Sequence, residues 1–175
     1  PGHRERAHLL GDPPDETKLR ALGEEGCLAL IGDSTNAVRD GRSPSEADVA
    51  RCIAELIAAA PGRVAVTTFA SNVARIRAVA DAARAAGREV VVVGRAMERV
   101  VQVARETGYL DGVQEFRGME VYGHLPNDKV VALCPGSQGD PRAALAGTAE
   151  DEHPEVTLSR GDMVIFSSRP IPGNE

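Results

Sequence analysis

The stretch EVVVVG, Glu89 to Gly94, decides the fold class, because its four consecutive valines do not alternate with polar residues. A strand with one face in water alternates apolar and polar side chains. An uninterrupted apolar run is typical of a strand that is covered on both faces. Beyond Gly94, apolar residues recur at helical spacing at Met97, Val101 and Ala104. The stretch therefore predicts a buried strand that leads into an amphipathic helix.

The same alternation of strand and helix continues outward in both directions. Apolar runs predict further strands at 27–33, 63–69, 129–134 and 162–168. Helical spacing of apolar residues begins near Ser45 and near Val73, and a short helix is predicted at 141–149. The resulting order, β-α-β-α-β-α-loop-β-α-β, indicates an α/β fold of three layers, in which a mainly parallel sheet carries helices on both faces.

Composition and charge exclude several classes of protein. The chain is 42% hydrophobic and 26% charged, as soluble globular proteins are, and its net charge of −6 argues against non-specific coating of nucleic acid. No apolar run reaches the roughly 18 residues of a membrane span, and the first ten residues lack the apolar core of a secretory signal. Three widely spaced cysteines predict buried free thiols in a reducing, cytoplasmic compartment: Cys27, Cys52 and Cys134.

Polar residues and glycines cluster where the predicted strands end. In a parallel sheet these ends share one edge, where α/β proteins bind ligands. The clusters are Asp33-Ser34-Thr35-Asn36, Ser71-Asn72, Gly94-Arg95, Gly136-Ser137-Gln138-Gly139 and Ser167-Ser168. A glycine-rich turn before a helix exposes backbone N–H groups to an anion, and the guanidinium groups of Arg75 and Arg95 could fork onto a phosphate. The pattern predicts a phosphate site, with a plain strand-to-helix turn and solvated arginines as the alternatives.

Glu46, Asp33 and His153 each allow two interpretations, one structural and one functional. The segment SPSE, Ser43 to Glu46, fits a capping box with Ser43 as N-cap, which leaves Glu46 open to a second role. Asp33 is either a metal ligand or the cap of a turn. His153 lies in an acidic loop and is either a solvated surface residue or a functional one. The chain contains no His-x-His-x-Asp-His motif, so it lacks the imidazole cluster of a zinc hydrolase.

Seven segments, taken in order, resemble ribonuclease J, the bacterial ribonuclease of the metallo-β-lactamase superfamily with an inserted β-CASP domain. They are GDSTNA, SPSE, TTFASNVARI, VVGRAM, GYL, GSQGDPRAAL and VIFSSRPIPGNE, and the resemblance as a whole runs from about Asp12 to Glu175. The resemblance implies that residues 27–175 are a β-CASP domain truncated at its C-terminal end. Residues 1–26 would be an N-terminal segment that is partly vector-derived or the edge of the β-lactamase-like domain.

The resemblance also implies an activity and a set of roles. Members of the family hydrolyse single-stranded RNA internally and from the 5′ end, use two zinc ions, and form homo-oligomers without a membrane. Asp33 matches the metal ligand, and Glu46 and His153 match catalytic positions that are expected to lie within hydrogen-bond reach or one water of each other. The positions that match RNA phosphate contacts of the family are Ser71, Asn72, Arg75, Gly136 and Ser137. The pattern at the strand ends adds Arg95, Gln138 and Gly139 to the predicted phosphate-binding residues.

The sequence departs from the family pattern at Asp140, where glutamate is usual, at Gly147, where arginine is usual, and at Pro154, where a basic residue is common. The metal-binding histidines of the family would precede residue 1, so the isolated chain is expected to be inactive. Two other classes remain open, a non-catalytic module that binds phosphate or nucleotide at the same sheet edge and an assembly module whose apolar helices contact partner subunits.

Overall fold

The computed structural model describes residues 15–32, 38, 40–41, 44–136, 143–150 and 152–168. Its helices are α1 (Glu16–Glu25), α2 (Glu46–Ala59), α3 (Val73–Ala85), α4 (Arg95–Glu106) and α5 (Ala144–Ala149). Its strands are β1 (Val64–Thr67), β2 (Glu89–Val92), β3 (Val130–Cys134) and β4 (Met163–Phe166). Two short 3-10 turns, Met119–Val121 and Asn127–Lys129, precede β3.

The four strands form one sheet in the order β2-β3-β1-β4, and every neighbouring pair is parallel. The register aligns Val92 with Leu133, Leu133 with Val66, and Val66 with Ile165, so the carboxyl ends of all four strands reach the same edge. The prediction of an α/β fold with a parallel sheet is confirmed.

The sheet is buried on both faces, as the run of valines predicts. Val90 and Val92 pack into the core that α2, α3 and α4 cover, whereas Val91 and Val93 pack into the core on the opposite face. That second face is covered by α5, by the segment around Tyr122 and by Val156. The longer helices therefore lie on one face, and mostly irregular chain covers the other.

The strand predicted at 27–33 is wrong over the part that the structure describes. Residues 27–32 form no strand, and the side chains of Leu28, Leu30 and Ile31 are at least 93% exposed. An apolar run becomes a buried strand only when neighbouring chain supplies backbone hydrogen bonds and cover. Among the described residues, the sheet consists of β1 to β4, with β2 and β4 as its edge strands, and no strand pairs with residues 27–32.

The prediction of three buried thiols is wrong for two of them. Cys134 is buried in β3, but Cys27 and Cys52 are exposed. Cys27 belongs to the uncovered segment, and Cys52 lies on the outer face of α2, beside the buried Ile53 that faces the sheet. Among the helices of the described ranges, none is long and apolar enough to cross a membrane.

Candidate functional site

The carboxyl edge of the sheet, here called the rim, brings those predicted strand-end residues that the structure describes, such as Ser71, Gly94, Gly136 and Ser167, to one side of the sheet. Backbone pairing continues one residue beyond the strands, because Thr68 N–H donates to the carbonyl of Cys134 (3.2 Å) and Ser167 N–H donates to that of Thr67 (3.0 Å). Val93 N–H likewise donates to the carbonyl of Leu133 (2.9 Å). The turns that follow each strand therefore start from the same level of the sheet.

The start of α3, which follows β1, and the turn after β4 meet the start of α2 in a group of polar side chains, here called the rim clasp and formed by Glu46, Arg75 and Ser167. Arg75 Nη2 lies 2.9 Å from each carboxylate oxygen of Glu46, and its Nε lies 3.1 Å from Oε2. Arg75 Nη1 donates to the carbonyl of Ser167 at 2.6 Å and also to its hydroxyl. The side chain of Arg75 is 7% exposed and that of Glu46 is 40% exposed, so the arginine forms the floor of the clasp.

The start of α2 differs from the predicted capping box and explains why Glu46 is free for the clasp. The N-cap is Ser45, whose hydroxyl accepts from Asp48 N–H, while the Asp48 carboxylate accepts from Ser45 N–H. Hydrogen bonds from the hydroxyl and the amide of Ser45 lower the pKa of Asp48. Because Asp48 completes the box, the prediction that Ser43 and Glu46 cap this helix is wrong for Glu46.

The N-cap of α3 fixes the position of Arg75 in the first turn of that helix. Asn72 is the N-cap of α3, and its Oδ1 accepts from Arg75 N–H at 3.1 Å. The cap satisfies one of the free N–H groups of the first turn and fixes where the helix begins. It also leaves the Nδ2 group of Asn72 without a hydrogen bond to another described residue.

His153 follows α5 and is held by its own loop. Its Nδ1 accepts from the backbone N–H groups of Glu155 (3.3 Å) and Val156 (3.1 Å). A ring nitrogen that accepts carries no proton, so the neutral ring of His153 carries its hydrogen on Nε2, which is then a donor. No direct hydrogen bond joins Glu46 to His153 within the described ranges. A contact through one water stays a prediction.

The remaining predicted phosphate contacts that the structure describes lie on the rim surface. Arg95 is the first residue of α4, and Ser71 precedes the N-cap of α3; both are exposed, and neither side chain forms a hydrogen bond or an ion pair with another described residue. Gly136 has φ +116°, and a Cβ there would lie 2.9 Å from Cβ of Ala143 and 3.0 Å from Cβ of Leu145. The predicted residues Asp33, Ser137, Gln138 and Gly139 lie outside the described residues.

Sequence reasoning missed two features of the rim. The sequence shows Ser167 only as one of two serines at a strand end, yet in the structure it supplies two acceptors to Arg75. Thr68 is 1% exposed, and its hydroxyl has no hydrogen-bond partner among the described residues. The signal for both is a hydroxyl side chain directly after an apolar strand, but no local pattern says which helix each one meets.

The described residues do not form the zinc centre that the resemblance implies. Within them, no group of three or more His, Cys, Asp or Glu side chains is placed to hold a metal ion, and catalytic zinc takes three protein ligands. The single predicted ligand, Asp33, lies outside the described ranges. No reaction step is therefore assigned to a metal on this chain.

Comparison with known proteins matches both the sheet and the rim segments. A family model described as "Ribonuclease J, beta-CASP domain" matches residues 61–175. Ribonuclease J of Sinorhizobium meliloti is 57% identical over 166 residues, which cover 95% of this chain and 29% of that protein. Ribonuclease J of Thermus thermophilus is 44% identical over 158 residues, with 90% of this chain and 28% of that protein covered.

A further relative is Ribonuclease J of Mycolicibacterium smegmatis, which is 43% identical over 171 residues. These residues cover 95% of the chain and 30% of that protein. The chain thus spans less than a third of the length of the curated relatives it matches.

Proposed function

The chain belongs to the ribonuclease J family and carries its β-CASP domain, and from this premise we propose that it supplies the RNA-phosphate contacts of a cytoplasmic, metal-dependent ribonuclease. The proposed reaction is hydrolysis of RNA phosphodiesters, both internally and from the 5′ end. The substrate is single-stranded RNA, and the full-length protein acts as a homo-oligomer with two zinc ions. Asp33 is the one residue of this chain that we assign to those ions.

The observation that supports the proposal best is the shared rim. Four family-matching segments that are far apart in the sequence end at one edge of one parallel sheet, with Ser71, Gly94, Gly136 and Ser167 each following a strand. The carboxyl edge is where α/β sheets bind ligands. A single strand of RNA that crosses this edge would meet hydroxyls, amide groups, glycine turns and the exposed Arg95 in succession.

The proposed contacts use groups that the fold leaves unpaired among the described residues. The Nδ2 group of Asn72, the hydroxyl of Ser71 and the guanidinium of Arg95 are donors that suit phosphate oxygens. The turn Gly136 to Gly139 would add backbone N–H groups for a phosphate, such as the 5′-terminal one. His153 would donate from Nε2 to the scissile phosphate or to the leaving oxygen.

The full-length protein tests the role of His153 through two variants. We expect His153→Ala to lower the turnover of a 5′-monophosphorylated RNA by roughly 10²–10⁴-fold, the range for loss of an acid–base or charge-stabilising group. His153→Asn is the matched control, because an amide oxygen can replace Nδ1 as the acceptor of the loop N–H groups but offers nothing at Nε2. Both variants should keep their zinc content.

The outcomes separate the proposal from its alternatives. If His153→Asn restores the turnover that His153→Ala loses, His153 only holds its loop. If the full-length protein binds RNA but does not cleave it, the chain is a non-catalytic phosphate or nucleotide-binding module. If it assembles but does not bind RNA, it is an assembly module. The isolated chain, with Asp33 as its single assigned ligand, should not cleave RNA, and metal-dependent cleavage by it would contradict the proposal.

A further inference from the structure

We infer that Arg75 is a positioning residue that holds Glu46 at the rim, and that it is not itself a ligand of RNA phosphate. The inference deepens the proposed function and rests on it, and it takes the catalytic position of Glu46 from the resemblance to ribonuclease J. It starts from the number of donors that a guanidinium has. An arginine side chain carries five N–H groups: one on Nε, two on Nη1 and two on Nη2.

In the rim clasp, every one of these donors has an acceptor. The Nε donor and the two Nη2 donors face the carboxylate of Glu46, and the two Nη1 donors face the carbonyl and the hydroxyl of Ser167. A phosphate would have to displace a protein acceptor before Arg75 could bind it. The side chain of Arg75 is also 7% exposed, which leaves little surface for a phosphate to approach.

The carboxylate, by contrast, keeps capacity on its exposed side. A carboxylate has about four lone-pair positions, and three donor contacts from Arg75 reach Glu46, two on Oε2 and one on Oε1. One position on Oε1 is therefore left for a further donor, such as a water or an imidazole N–H. The side chain of Glu46 is 40% exposed, so its carboxylate is accessible to a donor from solvent or substrate.

The clasp also ties Glu46 to the sheet. Glu46 starts α2, Arg75 lies in the first turn of α3, and Ser167 directly follows β4. A planar, bidentate fork fixes both the distance and the plane of the carboxylate, which a lysine ammonium cannot do. Arg75 thereby sets where the free position of Glu46 points relative to the rim.

The two roles for Arg75 predict different effects on RNA binding. On a single-stranded nucleic acid, each phosphate that a protein neutralises adds about 0.7 to the magnitude of the slope of log K against log salt concentration. A positioning arginine whose charge is already paired adds nothing to that slope. We expect Arg75→Gln to leave the slope unchanged in the full-length protein. Arg95→Gln, which removes an exposed arginine on the same rim, is the control that should lower the magnitude of the slope by about 0.7.

Kinetic constants provide the second readout. We expect Arg75→Gln to lower kcat by about 10–100-fold, as loss of an orienting partner does, with little change in KM. Arg75→Lys keeps the charge and is the milder test of folding. It should retain KM and the salt slope but not recover kcat, because it lacks the fork. The effects of Arg75→Gln and Glu46→Gln on kcat should be non-additive, because one acts through the other.

Each result decides the inference. A salt slope reduced in magnitude by about 0.7 in Arg75→Gln, or wild-type kcat in Arg75→Lys, would overturn it. If the full-length protein proves to have no ribonuclease activity, the proposed function fails separately. In that case the inference is tested by the urea unfolding midpoints of Arg75→Gln, Glu46→Gln and the double variant. Non-additive midpoints uphold the contact between Arg75 and Glu46, and additive midpoints reject it.

Discussion

Replacement of Gly136 by alanine tests how closely the turn after β3 packs against α5. Gly136 has φ +116°, a region that side chains rarely adopt, and its added Cβ would lie 2.9 Å from Cβ of Ala143 and 3.0 Å from Cβ of Leu145. Apolar carbons normally rest about 3.5–4.0 Å apart, so the new methyl would overlap with both neighbours. Leu145 is 8% exposed, and moving it would open the core on that face of the sheet.

Two separate costs add up to the expected magnitude. Backbone strain at a positive φ costs about 1–3 kcal/mol for a residue other than glycine. Overpacking in a tight site costs about 1–3 kcal/mol more. We therefore expect Gly136→Ala to lower the free energy of unfolding by roughly 2–6 kcal/mol.

A matched glycine separates the two costs. Gly161 has φ +100° and nothing within 4 Å of its added Cβ, so Gly161→Ala should show the strain without the overlap. The assay is urea unfolding of the wild-type chain and of both variants, followed by circular dichroism. If Gly136→Ala destabilises the chain no more than Gly161→Ala does, the close packing of the turn on α5 is refuted. If the expected difference appears, a larger residue such as valine at Gly136 cannot test phosphate binding, because it damages the fold first.

Three further predictions concern single side chains. Native protein should react with a thiol reagent at Cys27 and Cys52 but not at Cys134, whose pKa burial raises to about 12; equal labelling of all three would contradict the packing of β3. Burial also raises the pKa of Tyr122 from 10.0 to about 12, so the unfolded chain loses this proton first. The free energy of unfolding should then fall as the pH rises from about 10 to 12, and this fall should be smaller in Tyr122→Phe. In the proposed phosphate turn, Ser137→Ala should weaken binding of a nucleoside 5′-monophosphate by about 1 kcal/mol, measured by calorimetry, and unchanged affinity would remove Ser137 from the site.

The predicted strands show which part of the fold is local. Residues 63–69, 89–94, 129–134 and 162–168 contain β1 to β4, because an apolar run between turn signals is a property of neighbouring residues. The run at 27–33 carries the same signal, yet residues 27–32 lie uncovered in the structure. An apolar run indicates that a strand must be covered by other residues to be stable, but it does not show whether other residues cover it. Burial depends on the assembled chain, and for this reason the prediction of a strand at 27–33 is wrong over the described residues.

The start of α2 shows the same limit at the scale of one turn. The segment from Ser43 to Asp48 contains two overlapping boxes, because each of Ser43 and Ser45 is followed three residues later by an acid. Propensity does not choose between them. In the structure, Glu46 pairs with Arg75, which is distant in sequence, and Asp48 completes the capping box with the N-cap Ser45. The sequence shows that Ser45 and Asp48 could form this box. It does not show the contact between Glu46 and Arg75, which is the reason that this box forms and not the one with Ser43.

The topology of the sheet explains why the rim clasp joins the segments that it does. β1 and β2 follow each other in the chain but are not neighbours in the sheet, because β3 lies between them. β4 pairs with the other side of β1. This pairing places Ser167 beside Thr67, close to the turn from which α3 begins, and so within reach of Arg75. Without Ser167 at this place, the buried guanidinium would keep its pair with Glu46 but would lose the two acceptors of Nη1, and buried N–H donors without acceptors are destabilising. The position of β4 therefore contributes to the orientation of Glu46, and a change that frees Arg75 from Ser167 should disturb that orientation.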